Sequence, residues 1–301
     1  MENKTQDDSI DLFDILELMW VSKIKIFYIT FLFALISILV IFLSPVKYTS
    51  STLLAPIASK TAPAIGGNYA GLASLAGIDL GGAGDSKTSL AIEVLQSRSF
   101  FINFINKRDL AAVLFAASSW NSDTNSLIYN SKKYNIEASE WNSGEKPNIK
   151  KMHKYWIEDV ISISQDAQTN FVTISIKHIS PSIAFNVLEW VLEDLDDDLR
   201  SRDIASSSEA IEYLEGEVVK TESDDLRVLF YTLIQEQTNK KMIAITQPRY
   251  LFDLIDPPYK PEIKSEPKSL LILISFTILG FFISLLYIFI GSIVDNRQRS
   301  I

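Results

Sequence analysis

The sequence contains no cysteine and only two histidines among its 301 residues. Without cysteine the chain forms no disulfide and offers no thiol chemistry, which excludes a disulfide scaffold but fits both periplasm and cytosol. The two histidines, His153 and His178, lie far apart and are interpreted as ordinary surface or strand residues. His-Glu-x-x-His and Gly-x-Ser-x-Gly motifs are also absent. We therefore expect no catalytic residues, no metal and no cofactor.

Charge is absent from two stretches, residues 26–43 and 270–294. As a helix, the second stretch would be about 37 Å long, enough to cross a hydrocarbon core of about 30 Å. A buried core helix is the alternative, but such a helix is rarely apolar on every face over this length. The sequence predicts transmembrane helices over residues 26–43 and 270–294.

Two spans place both termini on one side of the membrane. The lysines and arginines that flank the spans are evenly balanced between the tails and the middle of the chain, so charge does not decide the orientation. Domains longer than about 60 residues cross largely regardless of charge. We expect cytoplasmic tails at 1–25 and 295–301 and a periplasmic domain at 44–269. The first tail is predicted as a short amphipathic helix or as an extension of the first span.

Glycine is scarce except in one segment, since seven of the 11 glycines lie between residues 66 and 84. This predicts a loop over residues 58–88. The loop ends in Gly-Gly-Ala-Gly-Asp-Ser-Lys-Thr, which superficially resembles a phosphate-binding loop. That motif needs glycine directly before Lys-Thr, whereas Ser86 precedes Lys87, and Asp85 would repel phosphate. A nucleotide site is therefore not predicted.

Apolar spacing outside the loop predicts alternating helices and strands. In chain order we expect a strand over 46–54, a helix over 89–108 that extends toward 117, irregular structure with short helical pieces over 118–150, a β-hairpin within 155–179, and a last strand over 249–255.

Proline is absent from residues 182–247, and Gly216 is their only glycine. Helix formers dominate, and an uninterrupted helix would be about 99 Å long. We expect a long helix with a break near Ser206–Ser208 or at Gly216. A helix of this length must project from the domain or pack against copies of itself.

Carboxylates are concentrated in one run of this helix, at Glu193, Asp194, Asp196, Asp197 and Asp198. Such a run could form a metal site or a glycosidase pair. Consecutive helical residues point in different directions, which is poor geometry for a single site. We prefer a solvated helix face.

Four prolines within residues 256–268 predict an extended, semi-rigid connection into the second span. Within that span, Gly280 and Ser284 form a small-xxx-small pair suited to helix–helix packing. The alternative is a lone flexible glycine in lipid.

Three features together resemble the chain-length determinant (Wzz) family, the polysaccharide co-polymerases of bacterial inner membranes. They are a Pro-x-x-Tyr-x-Ser entry segment, a proline-rich exit segment, and two terminal spans around a helical outer domain. The residues that carry the two motifs are Pro45, Tyr48 and Ser50 at the entry and Pro257, Pro258, Pro261 and Pro267 at the exit. The chain ends seven residues after the second predicted span, so it departs from the branch with a fused tyrosine kinase.

The resemblance implies an α+β membrane protein in which two transmembrane helices flank a periplasmic domain with a mixed α/β base and a long projecting helix. It further implies a non-catalytic regulator of O-antigen chain length in lipopolysaccharide. The implied partners are further copies in a ring, the O-antigen polymerase and a lipid-linked glycan, with no nucleic acid. The alternatives are a co-polymerase for capsule or exopolysaccharide without a fused kinase, and a periplasmic glycan-trimming enzyme.

Overall fold

The computed structural model describes residues 20–57 and 83–299, with side chains at 20–57 and 87–291. Two compact units are present, Met1–Val46 with Lys264–Ile301, and Lys47–Ile263. Most of the predicted N-terminal helix and most of the glycine-rich loop lie outside the described residues.

The first unit contains helices α1 (Lys23–Leu43) and α8 (Ser269–Arg299). Within them, Lys23–Leu43 and Ser269–Gly291 are long and apolar enough to cross a membrane. Helix α1 ends at Ser44, whose backbone N–H and side-chain hydroxyl both donate to the Val40 carbonyl. The observed helices contain residues 26–43 and 270–294, the two predicted spans, in full.

The second unit, here called the middle domain, mixes helices with strands. In chain order its elements are β1 (Tyr48–Pro56), α2 (Ala83–Gln96), α3 (Arg98–Arg108), α4 (Ala111–Phe115), β2 (Ala117–Asn121), β3 (Ser126–Tyr129), β4 (Tyr134–Asn135), β5 (Glu140–Trp141), α5 (Ile149–Tyr155), a π-helix (Trp156–Val160), β6 (Ile161–Gln165), β7 (Val172–His178), α6 (Pro181–Lys220), α7 (Asp224–Thr246) and β8 (Phe252–Asp256). The predicted α+β class, with its two apolar helices and its long helix, is confirmed.

One four-stranded antiparallel sheet organises this domain, in the order β6–β7–β1–β8. The predicted hairpin is present as β6 and β7, in the register Ile161↔Ile176 to Gln165↔Val172. Alternate residues of β7 are buried, as the period-two pattern indicated. The buried face of the sheet packs on α6, and the core extends to α2, α3 and the π-helix.

The predicted helix over 89–108 is two helices, because Ser97 interrupts it. Ser97 has extended backbone angles, and its hydroxyl accepts a hydrogen bond from the Phe100 N–H, which caps α3. Asp109, at φ 48°, then ends α3 in the left-handed region.

The predicted loop is also wrong for residues 83–88, which belong to α2. Thr88 and Ala91 are buried against the domain, so tertiary contacts outweigh the local glycine content.

Residues 118–150 contain strands rather than the expected short helical pieces. They form two small antiparallel sheets, β2–β3 and β4–β5, before α5 begins. Asn121 nucleates the first turn, since its side-chain oxygen accepts hydrogen bonds from the N–H groups of Asp123 and Thr124. Side chain-to-backbone bonds of this kind are hard to read from composition alone.

The long helix is interrupted at residues 221–223, not near Ser206–Ser208 or at Gly216. Thr221 is extended and ends α6, and α7 then returns antiparallel to it, with Lys240 Nζ 3.1 Å from Asp203. Ser207 is fully buried, and α6 continues without interruption through Ser206–Ser208 and Gly216. The helical hairpin of residues 198–246, here called the arm, is therefore about 35 Å long rather than 99 Å.

Candidate functional site

The arm is fixed to the sheet by polar contacts at its root. Arg200 donates hydrogen bonds to the carbonyl oxygens of Ala244 and Gln247, which end α7, at 2.6 and 2.7 Å. It also pairs with Asp196 at 2.6 Å, and the second carboxylate oxygen of Asp196 accepts the Tyr250 N–H at 2.8 Å. Arg200 thus satisfies carbonyl groups that a helix C-terminus leaves unpaired.

Asp203 forms a second cluster one turn further along α6. Its carboxylate accepts a hydrogen bond from the Tyr250 hydroxyl and pairs with Lys87 at 3.2 Å and Lys240 at 3.1 Å. Burial tends to raise the pKa of Asp203, but the tyrosine hydroxyl and the two lysines hold that pKa below its usual value. Burial and the neighbouring Asp203 raise the pKa of Tyr250. The cluster joins α2, both helices of the arm and the segment before β8.

The carboxylate run on α6 is largely engaged in ion pairs. Asp194 is 7% exposed, which corrects the predicted solvated face, and it binds Lys107 and Arg108 on α3, both at 2.7 Å. Burial would raise the pKa of Asp194, but hydrogen bonds from Arg108 and Lys107 lower it overall. In the part of the chain that the structure describes, no group of acidic or histidine side chains is placed to hold a metal. The run fastens α6 to α3 and to the root of the arm.

The two histidines lie in separate places, as expected. His178 is buried on β7; its Nδ1 accepts the Ser180 N–H, and its Nε2 lies 3.1 Å from the Val113 carbonyl oxygen. Burial lowers the pKa of His178 to about 4. His153 packs its ring on Phe101 and contacts the Gln96 carbonyl oxygen.

The outer face of α7 carries an apolar stripe that sequence reasoning missed. The stripe consists of two apolar pairs, Val228 with Tyr231 and Met242 with Ile245, which are 54 to 66% exposed and lie two heptads apart. The heptad positions between the pairs carry the polar residues Gln235 and Thr238. The opposite face buries Leu233 and Ala244. The heptad spacing was the available signal. A helix that is apolar on two faces is suited to a second helical partner.

Two of the predicted site residues lie on the contact between α1 and α8. A Cβ atom at Gly280 would lie 2.6 Å from Phe33 Cβ, so only glycine fits there without movement. Ser284 is fully buried one turn later, and its hydroxyl donates a hydrogen bond to the Phe281 carbonyl oxygen of the same helix. Ile288 continues the buried face. The proposed role of this pair in packing the spans stays a prediction.

The other predicted residues lie in the entry and exit segments, at and beyond the two ends of the middle domain. Tyr48 begins β1, opposite His178, whereas Pro45 is exposed before the strand. Of the exit prolines, Pro257, Pro258 and Pro261 follow β8, and Pro267 follows a cis peptide bond before α8. The hydroxyls of Ser50 and Thr52 donate to the carbonyls of Tyr259 and Asp256. The exit segment is thereby tied to the entry strand, while the functional roles of these prolines stay predictions.

Comparison with known proteins identifies a family over the first third of the chain. Residues 8–108 match the family described as "Chain length determinant protein", Wzz. A full-length bacterial polysaccharide co-polymerase is 12% identical, with 95% of this chain and 99% of that chain covered and a TM-score of 0.40. A fragment of WzzB, a polysaccharide co-polymerase from Salmonella Typhimurium, is 18% identical, with 73% and 100% covered and a TM-score of 0.28. No curated protein matches the chain. Through residues 8–108, which contain α1, β1, α2 and α3, the chain is recognised as similar to the chain length determinant family, as its sequence predicted.

Proposed function

We propose that the protein is a polysaccharide co-polymerase of the bacterial inner membrane that regulates the length of O-antigen chains in lipopolysaccharide. The observation that carries the proposal is the match of residues 8–108 to the chain length determinant family. We further propose that α1 and α8 cross the membrane, that the middle domain is periplasmic, and that both tails are cytoplasmic. The length and apolar surface of both helices support this placement.

The regulator acts as a ring of identical subunits that holds the O-antigen polymerase or its lipid-linked glycan for a limited time. The apolar stripe on α7 supports self-association, because an exposed stripe at heptad spacing is covered when a second helix packs on it. Gly280 and Ser284 contribute to packing of the spans.

The proposed role is non-catalytic. Asp194 and Asp196, which a glycan-trimming enzyme could have used as its acid and base, are bound by basic side chains and by backbone N–H groups. These contacts hold both carboxylates in fixed positions. Burial would raise the pKa of Asp194, but Arg108 and Lys107 lower it overall, whereas a general acid needs a raised pKa. The run therefore serves the architecture of the arm.

Deletion and complementation of the gene test the proposal. We expect deletion to leave polymerisation active while the ladder of lipopolysaccharide lengths on a gel broadens or shifts, and the full chain to restore it. Loss of all polymer on deletion would contradict a regulator. An unchanged ladder with altered capsule or exopolysaccharide size would instead assign the protein to that pathway.

A trimming enzyme is distinguished by substitution. It predicts that a single Asp→Asn or Glu→Gln change abolishes length control, whereas a regulator predicts graded shifts from many positions on the arm. The readout is the same ladder, measured at matched protein levels.

A further inference from the structure

We propose that residues 117–141, here called the aromatic lobe, rest on the lipid headgroup layer of the bilayer that α1 and α8 cross. The inference relies on the membrane placement in the proposed function but adds a contact that length regulation does not require. The partner is the lipid surface itself.

The aromatic lobe has no core of its own. None of residues 117–141 is buried, although the segment is folded into β2–β3 and β4–β5. Its rings pack in a row, with centroids 5.5 Å apart for Tyr129 and Tyr134 and 5.6 Å apart for Tyr134 and Trp141. Ile128 and Ile136 are 48 and 57% exposed. A small folded segment with this much exposed apolar surface is typical of an interaction site.

The composition of the lobe fits a membrane interface better than a hydrocarbon core or bulk water. Trp and Tyr side chains concentrate at headgroup depth, because their rings are apolar while their N–H and O–H groups form hydrogen bonds. The Trp120 indole N–H donates to the Asn125 side chain within the lobe. Lys132 and Lys133 are exposed and can extend their amines toward water. Asp123, Glu137 and Glu140 offset them, so adsorption would depend on the apolar and aromatic groups rather than on anionic lipid.

Chain length keeps the lobe within reach of the membrane. Trp120 packs edge-on against Tyr48, with ring centroids 5.7 Å apart. Tyr48 comes five residues after Leu43, the last residue of α1. An extended chain spans at most about 3.6 Å per residue, so Tyr48 stays within about 18 Å of the end of α1 in any orientation of the middle domain. The headgroup layer extends several ångströms beyond the hydrocarbon core, so the length of the connection permits the proposed contact.

Single cysteines in this cysteine-free chain test the contact directly. The full-length protein is reconstituted in lipid nanodiscs with a spin label at Ile128→Cys or at Ile136→Cys, two positions in separate hairpins. Val219→Cys, on an 85% exposed arm residue, reports water, and Leu39→Cys, on a 60% exposed residue of α1, reports lipid. The measurement is the accessibility of each label to oxygen, which enters lipid, relative to a water-soluble nickel chelate.

We expect the oxygen-to-nickel ratio at 128 and 136 to be several-fold above that at 219 and below that at 39. It should change little when anionic lipid replaces zwitterionic lipid. Ratios at 128 and 136 equal to the ratio at 219, with Leu39→Cys still reporting lipid, would overturn the lobe contact and leave the proposed function intact. Spin–spin broadening between copies at 128 or 136 without oxygen access would assign the lobe to a subunit interface, which also overturns it. If the oxygen-to-nickel ratio of the label at Leu39→Cys equals the ratio at Val219→Cys, α1 does not lie in lipid. That result would overturn the membrane placement and this proposal with it.

Discussion

The base of the middle domain and the arm are held together by different forces. In the base, large apolar side chains such as Trp156, Phe101 and Phe104 are almost completely buried. The arm buries only four residues in its described range of 198–246: Leu199, Ser207, Leu233 and Ala244. Hydrophobic burial therefore dominates the stability of the base. The arm depends on the polar contacts at its root and on the few residues that it buries.

The arm also buries polar side-chain atoms that lack hydrogen-bond partners. Ser207 Oγ and Glu236 Oε2 are buried without a hydrogen-bond partner among the described residues. Each such group costs about 1–3 kcal/mol. We infer that the arm opens more easily than the base, and that its apolar stripe gains more from a partner helix than the base would.

The largest expected effect is on the base. Trp156→Ala removes a fully buried ring that packs on Phe101 and Phe104, and should lower the free energy of unfolding by about 3–5 kcal/mol. Urea unfolding of the detergent-solubilised full chain, followed by circular dichroism, measures it. Trp156→Phe is the matched control, because it keeps most of the contacts and removes an indole N–H that has no hydrogen-bond partner among the described residues. Its loss of unfolding free energy should therefore be clearly smaller. If Trp156→Phe lowers the free energy of unfolding as much as Trp156→Ala, an aromatic ring at this position does not stabilise the core through packing.

Acid should weaken the base through His178. The folded pKa of about 4 lies below the usual 6.5, so between these values the unfolded chain binds a proton that the folded chain excludes. Stability attributable to His178 is complete above pH 6.5 and falls by about 3 kcal/mol as pH decreases to 4. Unfolding measured across this range should show a smaller decline in His178→Gln. The same decline in His178→Gln and the parent chain would refute the assignment, and His153→Gln should keep the parent behaviour because His178 is still present.

The root of the arm should respond locally. Arg200→Ala removes the hydrogen bonds to Ala244 and Gln247 and leaves Asp196 without its basic partner, a loss of about 2 kcal/mol. Hydrogen exchange should accelerate in Asp224–Thr246 while the amides of Val172–His178 keep their rates. Arg202→Ala is the control, since Arg202 is 56% exposed and pairs only with Asp198 among the described residues. Accelerated exchange in the sheet as well would mean that base and arm unfold as one unit.

The smallest effect on stability is expected on the stripe. Val228→Ser with Tyr231→Ser changes exposed residues, so the unfolding free energy should stay within about 0.5 kcal/mol. Particle size is expected to fall, because the surface that covers a neighbouring arm becomes polar. Mass photometry of the detergent-solubilised protein reads this out, with Val219→Ser as an exposed control off the stripe. An unchanged particle size in the double variant would remove the stripe from the proposed assembly.

Much of the fold followed from local pattern. The two uncharged runs predicted α1 and α8, because the core helix of a soluble domain is rarely apolar on all sides over this length. Alternation predicted β6 and β7. Three of the predictions that failed were the straight helix over 89–108, the helical pieces over 118–150 and the position of the break in the long helix. Each depended on one side chain or on packing: the Ser97 cap, the Asn121 turn, and Ser207 buried inside the arm.

The root of the arm was least accessible from the sequence. Asp196, Arg200 and Asp203 were visible as charges on a helix, but the partners Tyr250 and Lys240 lie 37 to 54 residues further on in the chain than the aspartates. A long-range ion pair leaves no periodic signal. The solvated-face interpretation of Asp194 failed for the same reason, since Lys107 and Arg108 reach it from another helix.

The sequence by itself determined where the chain is apolar enough to enter lipid and where strands alternate, since both are properties of consecutive residues. Only the tertiary structure decided that the acidic helix folds back as an arm, that Asp194 is buried and bound rather than solvated, and that Trp120 lies on Tyr48. These features bring together side chains far apart in sequence, and their energies depend on burial and distance that exist only once the chain is packed.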